Sequence, residues 1–361
     1  MEFKLALLRG WLDRSSMAGV ALTRPGPVAW LSAGLTNPID RSDPGSPLWL
    51  VVTPSRAVAV TTAVERSRLE AEAELGTLGF ALEDVPWIEA DAFVCAAEEI
   101  AGAPWGELAP DEDALTTMRL RLLPQEQQRL SELGADVALA LESAISAWQP
   151  GERDLNLQAR VAEGLELAGA QPVCLIVGGD ERVERFRHPL AVGEPMRRLV
   201  MAVVVATRGG LHVAATRIAC ANGLPEPTRT AFDTALQVEA AMLGACRPGA
   251  TYGDVLQACE EAYAQAGHPG AWQEHYQGGP IGYRQREFEI APSQRESRWF
   301  SQPIEAGHAV AWNPSLAGGG KSEDTFLVEE SGLRCVTETG TWPLEEVRGG
   351  RFRPRILEIA R

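Results

Sequence analysis

The sequence predicts an α/β chain, α+β in its second part, with two domains at residues 1–115 and 116–361. Three observations carry that prediction. From Met1 to about Met118, short apolar strand-like runs alternate with helical periodicity, the pattern of one sheet flanked by helices. In Leu199 to Pro225, Val203-Val204-Val205 and Leu211 to Ile218 are joined by Gly209-Gly210, which reads as a buried β-hairpin. Finally, the order long helix, Pro-Gly, shorter helix, Gly, strand occurs twice, and the spacing from Gly151 to Gly169 equals that from Gly249 to Gly267. The second domain is therefore expected to be two halves built on one plan, with a ligand site where their sheets meet.

The elements follow in order. Glu2 to Arg14 sets Leu5, Leu8 and Leu12 on one helical face. Gly19–Leu22, Val28–Ser32, Leu48–Val52 and Ala57–Thr61 read as strands, with Trp30 in the core, and Glu65–Leu75 returns to helix. Ala101–Asp113, with two prolines and four acidic residues, reads as the way out of the first domain. Pro124 then sits at the first turn of a helix over Gln125–Trp148, whose apolar stripe runs through Leu130, Leu133, Val137, Leu141 and Ile145. Gln149-Pro150-Gly151 stops it, Asp154 caps a helix to Leu167, and Pro172–Val177 is a strand. Phe232–Cys246 and Gly253–Gln265 repeat the helix pair.

Composition excludes some partners. A formal net charge of −16 leaves no basic surface for nucleic acid or an anionic membrane. Cys95, Cys174, Cys220, Cys246, Cys259 and Cys335 lie far apart without a CxxC pair, which predicts reduced, buried thiols in a cytoplasmic protein. Lys4 and Arg9 interrupt any apolar leader in Met1–Leu12, and no apolar run reaches the length of a membrane span.

The polar residues concentrate in a few motifs: Arg185-Phe186-Arg187-His188-Pro189, His275 to Tyr283, Arg286-Glu287, Trp312-Asn313-Pro314-Ser315, and Gly318-Gly319-Gly320-Lys321-Ser322-Glu323-Asp324-Thr325. Polar groups gathered between strand ends are costly to bury unless they pair with one another or with a ligand. Among the histidines, His212 reads as a satisfied strand residue, whereas His268 and His308 lie in turn sequence without visible partners.

With PVAWLSAG and Glu65-Arg66-x-Arg68 in the first domain, then RHP, GGLHVAATR, GGPIGY, WNPS and KSEDT in order, the chain resembles the creatinase, prolidase and aminopeptidase P family. The resemblance implies a creatinase-like N-terminal domain followed by a pita-bread domain with a pseudo-twofold repeat. Peptidases of that family hold two divalent metals through Asp, Asp, His, Glu and Glu, so that ions roughly 4 Å apart activate a shared water. Carried across one at a time, those positions fall on Val203, Ala214, Gly279, Asn313 and Glu323, and only Glu323 retains its acid. No Asp or Glu occurs anywhere from Leu199 to Pro225, so a slipped register does not restore the first two. His275 lies four residues upstream of the lost histidine.

The resemblance therefore implies a divergent member without cofactor, a divalent metal being expected only if other residues rebuild the site. By the resemblance, His188 matches a family histidine beside the substrate, the one implied as the base in metal-free creatinase. Arg286-Glu287 stands for the family's second His-Glu, and Lys321 for an arginine. His188 and Glu323 are the candidate catalytic residues. His188, Tyr283, Arg286, Glu287, Asn313 and Lys321 are the candidates for binding a small peptide or amino-acid-like ligand, with Arg286 and Lys321 facing an anionic end. Glu323 with Lys321 or Arg286 also reads as a salt bridge filling the space of the metals. Two functions stand: a peptidase-like binding protein, or a hydrolase, either metal-independent or an atypical Xaa-Pro dipeptidase. Relatives with this N-terminal domain imply a homodimer.

Overall fold

The computed structural model describes residues 1–36, 39–41, 45–109, 112–291 and 296–359. It divides into two compact units, Met1–Leu120 with Gly209–Leu211, and Arg121–Arg208 with His212–Arg361.

The first unit runs α1 (Glu2–Ser15), β1 (Gly19–Leu22), α2 (Pro25–Leu31), β2 (Leu48–Val52), β3 (Ala57–Thr62), α3 (Ala63–Glu72), β4 (Ala81–Val85), α4 (Ala92–Ala101), β5 (Trp105–Glu107) and α5 (Asp113–Arg119). Its sheet has the order β4-β3-β2-β1-β5, with β1–β2 and β2–β3 antiparallel and the outer pairs parallel. Trp30 is buried as expected, but Val28–Ser32 is not a strand. Pro25 opens a helix there instead, because proline at the first helical position gives up an N–H that has no partner anyway. An apolar run this short does not reveal its period. The exit segment Ala101–Asp113 contributes β5 to the sheet, and Pro110 and Asp111 lie outside the described residues.

The second unit opens with α6 (Pro124–Ser146), β6 (Glu152–Arg153), α7 (Asp154–Leu167), β7 (Gln171–Gly179), α8 (Asp180–Arg185), β8 (Pro195–Met196), β9 (Leu199–Arg208) and β10 (Leu211–Ala221). It continues with α9 (Glu226–Ala245), α10 (Tyr252–Gln265), β11 (Gly278–Pro280), β12 (Ala309–Trp312), β13 (Ser315–Leu316), β14 (Gly320–Lys321), β15 (Asp324–Glu329), β16 (Gly332–Cys335), β17 (Leu344–Val347), β18 (Arg351–Pro354) and β19 (Leu357–Ile359). Two four-stranded sheets result, β19-β10-β9-β7 and β11-β12-β15-β16. The helix pair α6–α7 precedes the first and α9–α10 the second, so the repeated order in the sequence is a repeated order in the fold. Asp154 does begin α7, but its carboxylate reaches sideways to accept from the N–H groups of Val192 and Gly193.

β9 and β10 are buried almost throughout. Val203 joins Met201, Ile176, Ile218 and Phe232 in one apolar cluster. Gly320 lets β14 lie against α9, since a Cβ there would stand 2.1 Å from the Ala231 carbonyl oxygen.

A buried ionic cluster ties β10, β15 and β18 to the helices. Arg217 donates to Glu142 and Asp324, both at 2.9 Å, and to the Thr337 carbonyl at 2.7 Å. Arg353 meets both oxygens of Glu239 at 2.7 Å and Asp324 at 2.8 Å. Ser322 donates to Glu239 and Thr337 to Asp324. All six cysteines are free; Cys95 is exposed and Cys174 and Cys335 half-buried, so only Cys220, Cys246 and Cys259 fit the expectation of buried thiols. Among the described residues no helix is long and apolar enough to cross a membrane.

Candidate functional site

Glu323 sits just before β15, buried, where the chain emerges from the β13–β14 turn. Its Oε2 accepts from the Thr216 hydroxyl at 2.8 Å and lies 3.6 Å from Lys321 Nζ, also buried. The Thr216 N–H donates to the Glu323 carbonyl at 2.9 Å, so β10 grips both the backbone and the carboxylate of this residue. The neighbouring Thr325 hydroxyl donates to the Ala214 carbonyl and accepts from its N–H. Ala214 thus contributes main chain only.

Arg286 is half-buried and donates to the Ala311 carbonyl at 3.3 Å, with Glu289 3.9 Å away. Burial lowers its pKa, while the charges of Glu289 and Glu323 oppose that shift. A Cβ at Gly279 would meet Arg286 Nη1 at 3.3 Å, and Gly279 has φ of +153°. The guanidinium occupies the space into which a side chain at position 279 would grow.

His188 and His275 meet through their Nε2 atoms at 3.1 Å. His275 Nδ1 lies 2.6 Å from the Tyr276 carbonyl, an acceptor, so Nδ1 carries the proton and Nε2 accepts from His188. In His188 the proton is then on Nε2, and Nδ1 holds a lone pair with no hydrogen-bond donor among the described residues. Burial, then Lys321, hold His275 down at about 3. The same two causes lower His188, against the opposing pull of Glu323. Both imidazoles are neutral at neutral pH. Next to them, Arg187 pairs with Glu274 at 2.6 Å. Cys174 on β7 feels the charges of Glu323 and Lys321, and burial raises its thiol.

The candidates therefore separate. His188, Arg286, Lys321 and Glu323 are electrically coupled in one neighbourhood, joined by His275, Thr216 and Cys174. The Asn313 side-chain oxygen is buried and has no hydrogen-bond partner among the described residues. Tyr283 and Glu287 are committed elsewhere: the Tyr283 hydroxyl donates to Glu126 at 2.5 Å and accepts from Arg129, and Glu287 receives the Arg284 N–H at 3.2 Å. His308, expected to be without partners, is buried and accepts from the Glu305 N–H at 3.3 Å beside the Tyr252 hydroxyl at 3.1 Å. His212 is satisfied by the Gly282 carbonyl at 3.1 Å. The sequence reading missed the His188–His275 pair because the two lie 87 positions apart. The one available signal was that both flank the motifs that carry the charged residues.

The pattern of metallopeptidase family M24 matches residues 128–330, more than half of the chain. The chain belongs to that family. It is 22% identical over 237 residues to the Xaa-Pro dipeptidase of Pyrococcus furiosus, the match covering 63% of this chain and 66% of that relative, just under two-thirds of its length. The fold is that of the prolidase from Pyrococcus horikoshii, with TM-score 0.74 at 16% identity over 93% of this chain and 98% of that one. An Xaa-Pro dipeptidase from Bacillus anthracis gives 0.72 at 16% identity over 99% of both chains. The creatinase, prolidase and aminopeptidase P resemblance and the pita-bread architecture are thereby borne out.

The metals of such peptidases need carboxylates and a histidine around one point. The positions onto which the sequence resemblance carries those ligands offer two hydrocarbon side chains in Val203 and Ala214, none in Gly279, an amide in Asn313, and one carboxylate in Glu323. Among the described residues, no group of three or more His, Cys, Asp or Glu is placed to hold a metal ion. The donor set does not fit a dinuclear centre.

Proposed function

We propose that this chain is a peptidase-like protein that binds a small peptide or amino-acid-like ligand, with no dinuclear metal, at the neighbourhood of His188, Arg286, Lys321 and Glu323. One observation carries the reading. The surviving carboxylate, Glu323, is already matched by the ammonium of Lys321 and the hydroxyl of Thr216, while Arg286 fills the space beyond Gly279. The protein's own cations do the electrostatic work that divalent ions would do in a peptidase. Arg286 and Lys321 then favour an anionic end on the ligand, and the neutral imidazoles supply hydrogen bonds without added charge. Six free thiols accord with a reducing compartment. Pairing into a homodimer belongs to the same reading, to be checked by light scattering.

The test combines metal analysis with binding. Protein purified without chelators carries less than stoichiometric metal. Excess Mn, Co or Zn produces no turnover of Xaa-Pro dipeptides and no upward shift in melting temperature. A bound metal at a hundred times its Kd would stabilise by about 2.7 kcal/mol, so two metals per chain with turnover would sink the proposal. Calorimetric titration with dipeptides and amino acids shows binding that Lys321→Met weakens.

The free lone pair on His188 Nδ1 favours a second reading, metal-free hydrolysis, in which that atom takes the proton of an attacking water. Turnover indifferent to chelator, and abolished in His188→Ala, would establish it.

A further inference from the structure

A groove of about 790 Å³ runs between α9, α10 and β17, and none of its lining residues belongs to the neighbourhood of His188, Arg286, Lys321 and Glu323. One wall is the alanine face of α10, with Ala258, Ala262 and Ala266, and the other is β17. Among the described residues none of β18 lines it, so the groove follows the side of β17 that β18 leaves open.

That side is an unpaired strand edge. β17 and β18 form a two-stranded sheet of their own, and among the described residues no third strand pairs with β17. Opposed residues of an antiparallel pair alternate between those that exchange both main-chain hydrogen bonds and those that exchange none. Leu344 faces Pro354, which has no N–H to give, and the bond flanking them runs from the Arg355 N–H to the Pro343 carbonyl at 3.0 Å. Glu345 with Arg353 is therefore a bonded pair and Glu346 with Phe352 an unbonded one. The main-chain N–H and C=O of Leu344 and Glu346 point away from β18, on the side of the groove.

The groove is also acidic. Asp233 and Glu261 on the helices and Glu345 and Glu346 on β17 line it, with Arg348 the one base among the described lining residues. Asp233, Glu261 and Glu346 are exposed and Glu345 is half-buried, so none of these carboxylates is shut away from an incoming ligand. Among the described residues none of the four is in an ion pair. Glu261 accepts from the Gln257 amide at 2.9 Å, and Arg229, whose charge reaches Asp233, is itself paired with Glu358 at 3.2 Å. Burial, then the charge of Asp233, raise the Glu345 pKa, so acids on two different elements repel one another here.

Size and pattern select the occupant. An extended residue fills roughly 3.3 Å along its strand, 4.8 Å to the next strand and 10 Å between faces, about 160 Å³, so the groove has room for about five. An open strand edge takes up an extended peptide through main-chain hydrogen bonds, while the surrounding side chains choose among sequences. Carboxylates that lack cations choose lysine and arginine.

We propose that this groove docks an extended, basic segment of a partner protein, which adds to β17 as a third strand and sets its lysine or arginine side chains against Asp233, Glu261, Glu345 and Glu346. The site does not depend on the ligand-binding function proposed above.

The probe is the end-blocked peptide Lys-Val-Lys-Val-Lys-Val, titrated calorimetrically at low ionic strength, with spermidine in parallel because it carries the same positive charge without peptide groups. Saturable peptide binding is expected, about tenfold weaker in Asp233→Asn with Glu345→Gln, the loss of two partly exposed ion pairs. It should be unchanged in Glu98→Gln with Glu99→Gln, which removes the same charge from the exposed surface of α4. Relief of repulsion leaves the first double variant at least as stable as the wild type, and Glu261→Gln with Glu346→Gln, both exposed, gives the same reading if the first fails to fold. In the complex, hydrogen exchange at the Leu344 and Glu346 amides slows at least about tenfold. Absence of saturable peptide binding overturns the site. So does equal weakening in the groove and α4 variants, which would reduce the attraction to net charge. Spermidine binding as tight as the peptide's, or unchanged exchange at Leu344 and Glu346 in the complex, removes the added strand and with it the peptide partner.

Discussion

Glu323 and Asp324 are consecutive, equally buried, and surrounded by cations, yet their environments differ in kind. Asp324 receives Arg217, Arg353 and the Thr337 hydroxyl, each between 2.7 and 2.9 Å, and the arginines are in turn closed off by Glu142 and Glu239. Glu323 receives one hydroxyl, and its cation stands back at 3.6 Å. Successive residues entering a strand face opposite sides, so one acid belongs to a finished structural network and the other to a neighbourhood with capacity left over. A completed ionic cluster holds the fold in one arrangement. An incomplete one can exchange a partner for a ligand, which is why the proposed binding function is placed there.

The largest expected effect is on the finished side. Asp324→Asn leaves two buried guanidinium groups short of a charge and should cost about 3–5 kcal/mol in chemical denaturation, the usual loss when one member of a buried ionic network is removed. A loss below about 1 kcal/mol would mean that the network is not what fixes β15. On the other side, Glu323→Gln strands only Lys321 and should cost about 1–2 kcal/mol. The double variant Lys321→Met with Glu323→Leu should recover most of that, because a buried pair with imperfect geometry is worth little against well-packed apolar groups. If the double variant falls as far as Asp324→Asn, the contrast between the two acids is wrong.

How much of this could be read from the residues follows the same division. Long-period signals survived: α6, α7, α9 and α10 came from apolar spacing and Pro-Gly stops, and the β9–β10 hairpin from its β-branched runs. Pro25–Leu31 did not, because seven apolar residues fit a strand as well as a helix. At the site, the absence of any Asp or Glu from Leu199 to Pro225 was legible since it concerns residue type alone. The packing around those positions was not. That Arg286 fills the space beside Gly279, that Tyr283 turns to Glu126, and that His275 reaches His188 are all consequences of tertiary packing. His308 shows the limit from the other direction, as turn sequence concealed a buried histidine bound to Tyr252.

The smallest effect separates the two neighbourhoods by titration. The guanidinium groups around Asp324 do not titrate in the physiological range, whereas His275, in the field of Lys321, does in the unfolded chain. Its unfolded value is about 6.5, and in the fold burial and Lys321 hold it at about 3. Between those values the unfolded state binds the extra proton, so stability is complete above the unfolded value and declines as pH falls towards the folded one. The full slope for one histidine is about 1.4 kcal/mol per pH unit; His275 is only half-buried, and solvent screening should reduce the loss from pH 6.5 to 5.5 to about 1 kcal/mol or less. His308, pushed down to about 4 by burial and then Arg121, adds a similar slope of its own. The measurement is denaturation at several pH values for wild type, His275→Gln and Lys321→Met. His275→Gln should remove its share of the slope below 6.5, leaving that of His308, and Lys321→Met should remove a smaller share, since without the ammonium His275 takes its proton more easily in the fold. A Lys321→Met curve parallel to wild type would mean that burial alone sets His275, and would separate Lys321 from the histidine pair that the binding function joins to it.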